Sequence, residues 1–161
     1  MPHKQKLSSR IIDDKDREII MLLQKDGRMS LTEIAKKVRL SIDSVHKRMK
    51  EMQKKGVYSS GIFVDPRVIG FPLLADVKIK LKNISEDSRN KLIKYLTEHK
   101  SVIDLLAVMG DYDLTCVLIA KDSDELEKIS TEIRQRFKDL IDEWKSILIL
   151  KTYKFEQYDL T

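Results

Sequence analysis

Gly110, Asp111, Tyr112 and Asp113 lie between two apolar runs, in the stretch VMGDYDLTC from Val108 to Cys116. Two carboxylates two positions apart share one face of a strand, and such a pair has the chemistry of a retaining glycosidase dyad or of half a metal site. Neither use has support elsewhere in the chain. There is no second cluster of carboxylate or histidine, no P-loop, no Gly-x-Gly-x-x-Gly and no Gly-x-Ser-x-Gly, and His3, His46 and His99 fall in different segments. The chemistry of a tight turn fits better, because Gly and Asp tolerate the positive φ values of a hairpin. The lone Cys116 sits inside an apolar run and reads as a small buried side chain rather than a reactive thiol. The sequence therefore predicts no enzyme, no metal and no cofactor.

A second concentration of chemistry is cationic. Residues 1–60 carry 15 Lys and Arg against 8 Asp and Glu, a balance of +7. The remainder carries 16 against 18, a balance of −2, which together give the +5 of the whole chain. Basic charge confined to the first third suggests an anion-binding module joined to a more neutral one, with double-stranded DNA the commonest polyanionic partner. No apolar run approaches the roughly 20 residues that a membrane helix requires, and the basic start MPHKQKLSS has no apolar segment behind it. A cytoplasmic protein with no membrane partner is expected.

Three short helices can position those cations. Asp13 can cap the first, with Asp16 in its first turn, Ile19, Ile20, Leu22 and Leu23 on one side, and Gly27 to end it. Ser30 and Glu33 form a capping box, behind which Leu31, Ile34, Ala35 and Val38 recur at helical spacing. After Arg39-Leu40, Ser41 caps a third helix that is expected to bury Ile42, Val45, Met49 and Met52. Its opposite stripe is Asp43, Lys47, Lys50 and Lys54, flanked by Ser44, His46, Arg48 and Lys55. A short helix, a tight turn and a longer helix with a cationic outer face is a helix-turn-helix, in which N-terminal side chains meet base edges and flanking cations meet phosphates. Ser41, Asp43, Ser44, His46 and Lys47 are expected near base edges, and Arg48, Lys50 and Lys54 near phosphates. His46 can contact a base or a phosphate, or be solvated only.

The N-terminal domain is thus read as residues 1–60, with a basic tail over 1–12. Residues 61–72, GIFVDPRVIGFP, form a hinge linker in which Ile62 to Val64 can be a short strand and Asp65-Pro66 opens a turn. From residue 73 to 161 the period changes. Ala75, Val77, Ile79 and Leu81 alternate with charged residues, Ser85 caps a helix to about His99, and Val102 to Met109 and Asp113 to Ala120 flank the Gly110-Asp111 turn. Asp122 with Glu125 makes another capping box that opens a long helix through Phe137, and a last strand is expected over about Lys145 to Phe155. The fold class is α+β: a three-helix helix-turn-helix domain plus a C-terminal βαββαβ ferredoxin-like (ACT-like) domain. Two helices cover one face of such a sheet. The other face, with apolar residues on both sides of the last strand, is expected to self-associate.

The run IIDDKDREIIMLLQKDGRMSLTEIAKKVRLSIDSVHKRMKEMQKKGVY resembles the helix-turn-helix of the leucine-responsive regulatory protein and AsnC family of transcription regulators, also called feast/famine regulators. It has their Asp-x-x-Asp-Arg-x-Ile, Leu-Gln-x-Asp-Gly-Arg and Val-x-Leu-Ser elements, with Ile34-Ala35 in the Leu-Ala place. Arg39 stands where the family usually has Gly, so a left-handed turn there would cost about 1 kcal/mol, or the turn is shaped differently. Ile42-Asp43 replaces a frequent Pro-Thr pair. The resemblance implies a sequence-specific DNA-binding regulator that forms homodimers and octamers of four dimers. It also implies that the Gly-Asp-Tyr-Asp hairpin lies where small effectors, commonly amino acids, bind between dimers. Met109, Gly110, Asp111, Tyr112, Asp113 and Ser146 are the effector residues so implied. Backbone N–H groups near Gly110 can hold a carboxylate, and Asp111 or Asp113 an ammonium. Met109 takes a place where many members have Ser or Thr, and Ile147 one that is often polar or aromatic. The alternatives of another class are a nucleoid-architectural DNA-coating protein and an amino-acid-sensing regulatory subunit of an enzyme.

Overall fold

Each helix starts at a side chain able to satisfy its unpaired first-turn N–H groups. Asp13, Ser30, Ser41, Ser85 and Asp122 stand at the N-caps of α1 (Asp14–Lys25), α2 (Leu31–Val38), α3 (Ile42–Lys54), α4 (Glu86–Glu98) and α5 (Ser123–Arg136), and each accepts a bond from such an N–H. The structure, a computed structural model, describes residues 12–160. Most of the basic tail therefore lies outside the described residues, as does His3. The described chain divides into two compact units: one running through Phe63 and joined by the segment from Lys154, and one from Val64 to Tyr153.

In the first unit α1, α2 and α3 close around Ile19, Ile34, Ala35, Val38, Val45 and Met52. Ile42 does not join them. It stands at the first position of α3 and is 46% exposed, because the helix entry carries it past the edge of the core. The α2–α3 turn passes through Arg39, which adopts the left-handed conformation (φ 56°, ψ 51°) that glycine would take without strain.

The C-terminal segment returns to this unit. The Gln24 carboxamide clasps the Tyr158 backbone, donating from Nε2 to its O (3.0 Å) and accepting from its N–H at Oε1 (2.8 Å). Arg17 donates to Leu160 O (3.3 Å), and the Phe63 and Phe155 rings meet edge to face at 5.6 Å. Residues 154–160, placed by the sequence in the second domain, thus make contacts with the helices that no local pattern reveals.

The second unit is a four-stranded antiparallel sheet of β1 (Leu73–Leu81), β2 (Val102–Ala107), β3 (Leu114–Ala120) and β4 (Ile141–Leu148), in spatial order β2-β3-β1-β4. With α4 between β1 and β2 and α5 between β3 and β4, this is the ferredoxin-like split βαβ arrangement. One sheet face presents Ala75, Val77, Ile79, Leu114, Cys116 and Leu118 to Leu92 and Leu96 of α4 and to Ile129 and Ile133 of α5. On the other, the β1–β3 and β1–β4 registers set Asp76 beside Val117 and Ile147, and Lys78 beside Thr115 and Lys145. This face is mixed rather than apolar throughout. At its centre the Thr115 hydroxyl donates to Asp76 (2.7 Å), and the Lys78 ammonium bonds both Thr115 (3.0 Å) and Asp76 (2.9 Å).

Two strand expectations need correction. The last strand starts at Ile141 and ends at Leu148, rather than spanning Lys145 to Phe155, and Leu150 and Tyr153 lie exposed beyond it. Pairing with β1 decides this, because Ile141 meets Leu81 and Trp144 meets Ile79, whereas beyond Ile149, whose N–H still bonds Leu74 O (2.8 Å), residues 150–155 have no strand beside them among the described residues. Ile62 to Val64 likewise forms no strand and is exposed, having no pairing partner among the described residues.

Candidate nucleic-acid interface and effector loop

The outer face of α3 follows from its inner one. With Val45 and Met52 buried and Met49 half-buried, the helical period turns Asp43, His46, Lys47, Lys50 and Lys54 outward, and all five are exposed. At the helix start the Ser41 hydroxyl accepts from the Ser44 N–H (3.2 Å) and donates to the Ser44 hydroxyl (2.8 Å). The first turn thus presents Ser41, Ile42, Asp43 and Ser44 together. Ile42, which the sequence reading assigned to the core, adds an apolar surface of the kind that meets a thymine methyl. Its signal was its place at the first helical position, where an apolar residue need not face inward.

Arg48 differs from the lysines. Its Nη1 donates to Asp13 Oδ2 (2.6 Å) and to Asp16 Oδ1 (2.9 Å), and the two carboxylates raise its pKa further above the ordinary guanidinium value. Asp13 is held below the usual carboxylate range, first by the bond from the Asp16 N–H and then by Arg48.

In the second unit, Val108 N–H bonds Asp113 O (3.0 Å), so Met109 to Tyr112 make the tip of the β2–β3 hairpin. Gly110 takes a positive φ (140°), whereas Asp111 does not, so only the glycine carries the conformational demand expected of both. Met109 stands fully exposed at the tip (101%). The N–H groups of Gly110, Asp111 and Tyr112 have no hydrogen-bond acceptor among the described residues. Tyr112 donates to Glu143 of β4 (2.8 Å), and that bond raises its pKa.

The two aspartates are not equivalent. Asp113 Oδ2 accepts from Leu81 N–H (2.7 Å), where the β1–β4 register shifts, so this carboxylate secures an irregular strand end. Asp111 is exposed. Ser146 is exposed on β4, three residues beyond Glu143, about 10 Å at strand rise, and pairs with Val77 on the helix-covered side of the sheet. The hairpin thus brings Met109 to Asp113 together and leaves Ser146 apart. Glu143 is the β4 residue that joins them, and it was hidden in the charged run Asp142-Glu143 ahead of the expected strand. Groups of three or more His, Cys, Asp or Glu able to hold a metal are absent among the described residues. Burial pushes the Cys116 thiol up to about 12, far from a reactive thiolate.

A helix-turn-helix unit with an exposed cationic helix, followed by a ferredoxin-like unit, defines a two-domain transcription regulator. Residues 12–53 match the AsnC-type helix-turn-helix domain and residues 74–158 match the Lrp/AsnC ligand binding domain. The chain belongs to the Lrp/AsnC family of transcription regulators. It is 35% identical over 118 residues to the HTH-type transcriptional regulator FL11 of Pyrococcus furiosus, covering 72% of this chain and 76% of that one. It is 30% identical over 120 residues to the regulator LrpA of Pyrococcus horikoshii, covering 74% and 83%. Among solved structures, the fold is similar to AsnC of E. coli (TM-score 0.79, 22% identity, 91% of this chain and 97% of that one). It is also similar to the Neisseria meningitidis transcriptional regulator NMB0573 in complex with L-Met (TM-score 0.80, 19% identity, 89% and 93%). No helix among the described residues is long and apolar enough to cross a membrane.

Proposed function

We propose that this regulator acts in the cytoplasm as a homodimer, and in larger assemblies as an octamer, and binds specific double-stranded DNA through α3. The observation that carries the reading is the exposed stripe Lys47, Lys50 and Lys54, continuous with the polar first turn of the same helix. Ser41, Asp43, Ser44, His46 and Lys47 meet base edges, and Lys50 and Lys54 meet phosphates. Two heads related by a dimer axis read half-sites about 10 bp apart, centre to centre.

Competition binding tests this. The site selected from random duplexes should outcompete bulk DNA by about a thousandfold or more. Equal competition would mark a DNA-coating protein, and hardly any binding an enzyme's regulatory subunit. Lys50→Ala should weaken all sequences alike and reduce the slope of log K against log salt by about one. A loss confined to one base position would instead make Lys50 a base reader.

The effector is a small amino acid bound at the β2–β3 hairpin. The unbonded N–H groups of Gly110 to Tyr112 suit its carboxylate, and Asp111 suits its ammonium, since Asp113 is already engaged. The L-Met complex of the structurally similar Neisseria regulator supports this ligand class. A thermal-shift screen of the twenty amino acids tests it, and a hit that survives Asp111→Asn and a bulky replacement of Gly110 would place the ligand elsewhere.

A further inference from the structure

We propose that Arg48 positions the recognition helix by tying it to the start of α1, and that it makes no phosphate contact; the inference rests on α3 being the DNA-reading element. Asp13 and Asp16 already cap α1 reciprocally. Asp16 N–H bonds Asp13 Oδ1 (2.9 Å), and Asp13 N–H bonds Asp16 Oδ2 (3.1 Å). Each carboxylate thereby spends one oxygen on the capping box and offers the other to Arg48 Nη1. A side chain of α3 thus completes the cap of a helix 32 to 35 residues earlier.

Two physical arguments separate this arrangement from a phosphate contact. Asp16 is buried to 9% exposure, and a buried carboxylate stripped of its cation is strongly unfavourable, so the pair holds its geometry. One guanidinium facing two carboxylates also has its charge already balanced, which leaves it little attraction for a phosphate. Lys47, Lys50 and Lys54 supply the free cations of the same helix. The trio lines a shallow pocket of about 450 Å³ with Ser44, Lys47, Glu51, Met52 and Lys55, one helical turn from the first-turn residues that meet bases. What it governs is the angle at which that turn enters the groove, and hence discrimination between sites rather than general affinity for DNA.

The test uses the full chain, its selected site and a non-specific duplex, at a temperature where every variant is folded. Arg48→Gln should weaken the selected site about tenfold, within the range of couplings carried by one ion-pair network, and leave non-specific binding and the salt slope unchanged. Asp16→Asn should do the same although it removes negative charge near DNA, and the double variant should be no worse than the worse single one. Arg48→Lys, which keeps the charge but on a shorter side chain without the planar guanidinium, should recover only part of the discrimination and serves as the variant of choice if Arg48→Gln is unstable.

A loss of about 0.9 in salt slope for Arg48→Gln, with Asp16→Asn binding as well as or better than the wild type, would make Arg48 a phosphate contact and overturn the proposal. Equal losses on both duplexes with an unchanged slope would reduce it to a stability residue and overturn it as well. A wild-type chain without salt-dependent DNA binding would overturn the DNA-reading function itself, and this role with it. Wild-type binding with the expected Lys50→Ala slope isolates the Arg48 result from that failure.

Discussion

Asp76 shows how a charge can stand in the middle of a sheet face. Burial pushes its carboxyl up, but the bonds from Thr115 and Lys78 outweigh that, and its pKa lies below the ordinary 3.8. A carboxyl depressed in the folded state contributes stability that is complete above its unfolded value and is lost as pH falls through the folded one. Asp76→Asn should therefore cost about 1 kcal/mol at neutral pH, and thermal unfolding should show the gap to wild type closing below about pH 4. A gap that persists at low pH would assign the loss to packing instead. At this scale the sequence was legible only where a residue acts on its neighbours. It showed Asp76 as a wet-face residue with Lys78 two places along the same strand, and Asp113 as a turn residue, yet Thr115 and Leu81 N–H are brought to them by contact between distant strands. Arg48 belongs with them: its helical position matched a phosphate contact, and the two carboxylates that claim it come from another helix.

Helices were read well because their signals are local. The caps Asp13, Ser30, Ser41, Ser85 and Asp122 all stand where their spacing to the next first-turn residue predicts. Even so, the Asp122 box closes one residue off: Glu125 accepts from Lys121 N–H (2.7 Å) instead of the cap residue's own. Strand ends were read poorly, since β4 begins at Ile141, just ahead of the charged pair Asp142-Glu143, and is defined by its ladder to β1. The α2–α3 turn offers a direct measurement. Arg39 pays the left-handed penalty of about 1–2 kcal/mol, which glycine avoids at some cost in chain entropy. Arg39→Gly should thus be more stable than Arg39→Ala by about 0.5–1 kcal/mol in denaturant unfolding, a comparison in which both variants lose the cation. Equal stability of the two would mean that the turn relaxes away from the left-handed conformation in solution.

The proposed action of two heads on one DNA site requires a linkage between protomers, and the open sheet face is the surface we propose for it. Leu106, Val117 and Ile147 share that face, and Leu106 and Ile147 are about half exposed in the protomer. The Asp76–Lys78–Thr115 cluster among them is already internally paired, so covering it removes no unpaired charge from water. In a two-fold interface a single substitution acts twice, which makes Ile147→Glu a severe test. It puts a carboxylate from each protomer into the proposed interface without touching the helix-covered core, so folding and helix content should be unchanged. Sedimentation should then report a monomer at concentrations where the wild type is a dimer. Each isolated head should keep its salt-dependent, non-specific attraction to DNA but lose the gain in effective concentration that a tethered second head provides, about 100-fold or more. If Ile147→Glu stayed dimeric with wild-type affinity, self-association would have to use another surface. A monomeric wild type at micromolar concentration would remove the paired-head reading altogether, because no second head would then be tethered to the first.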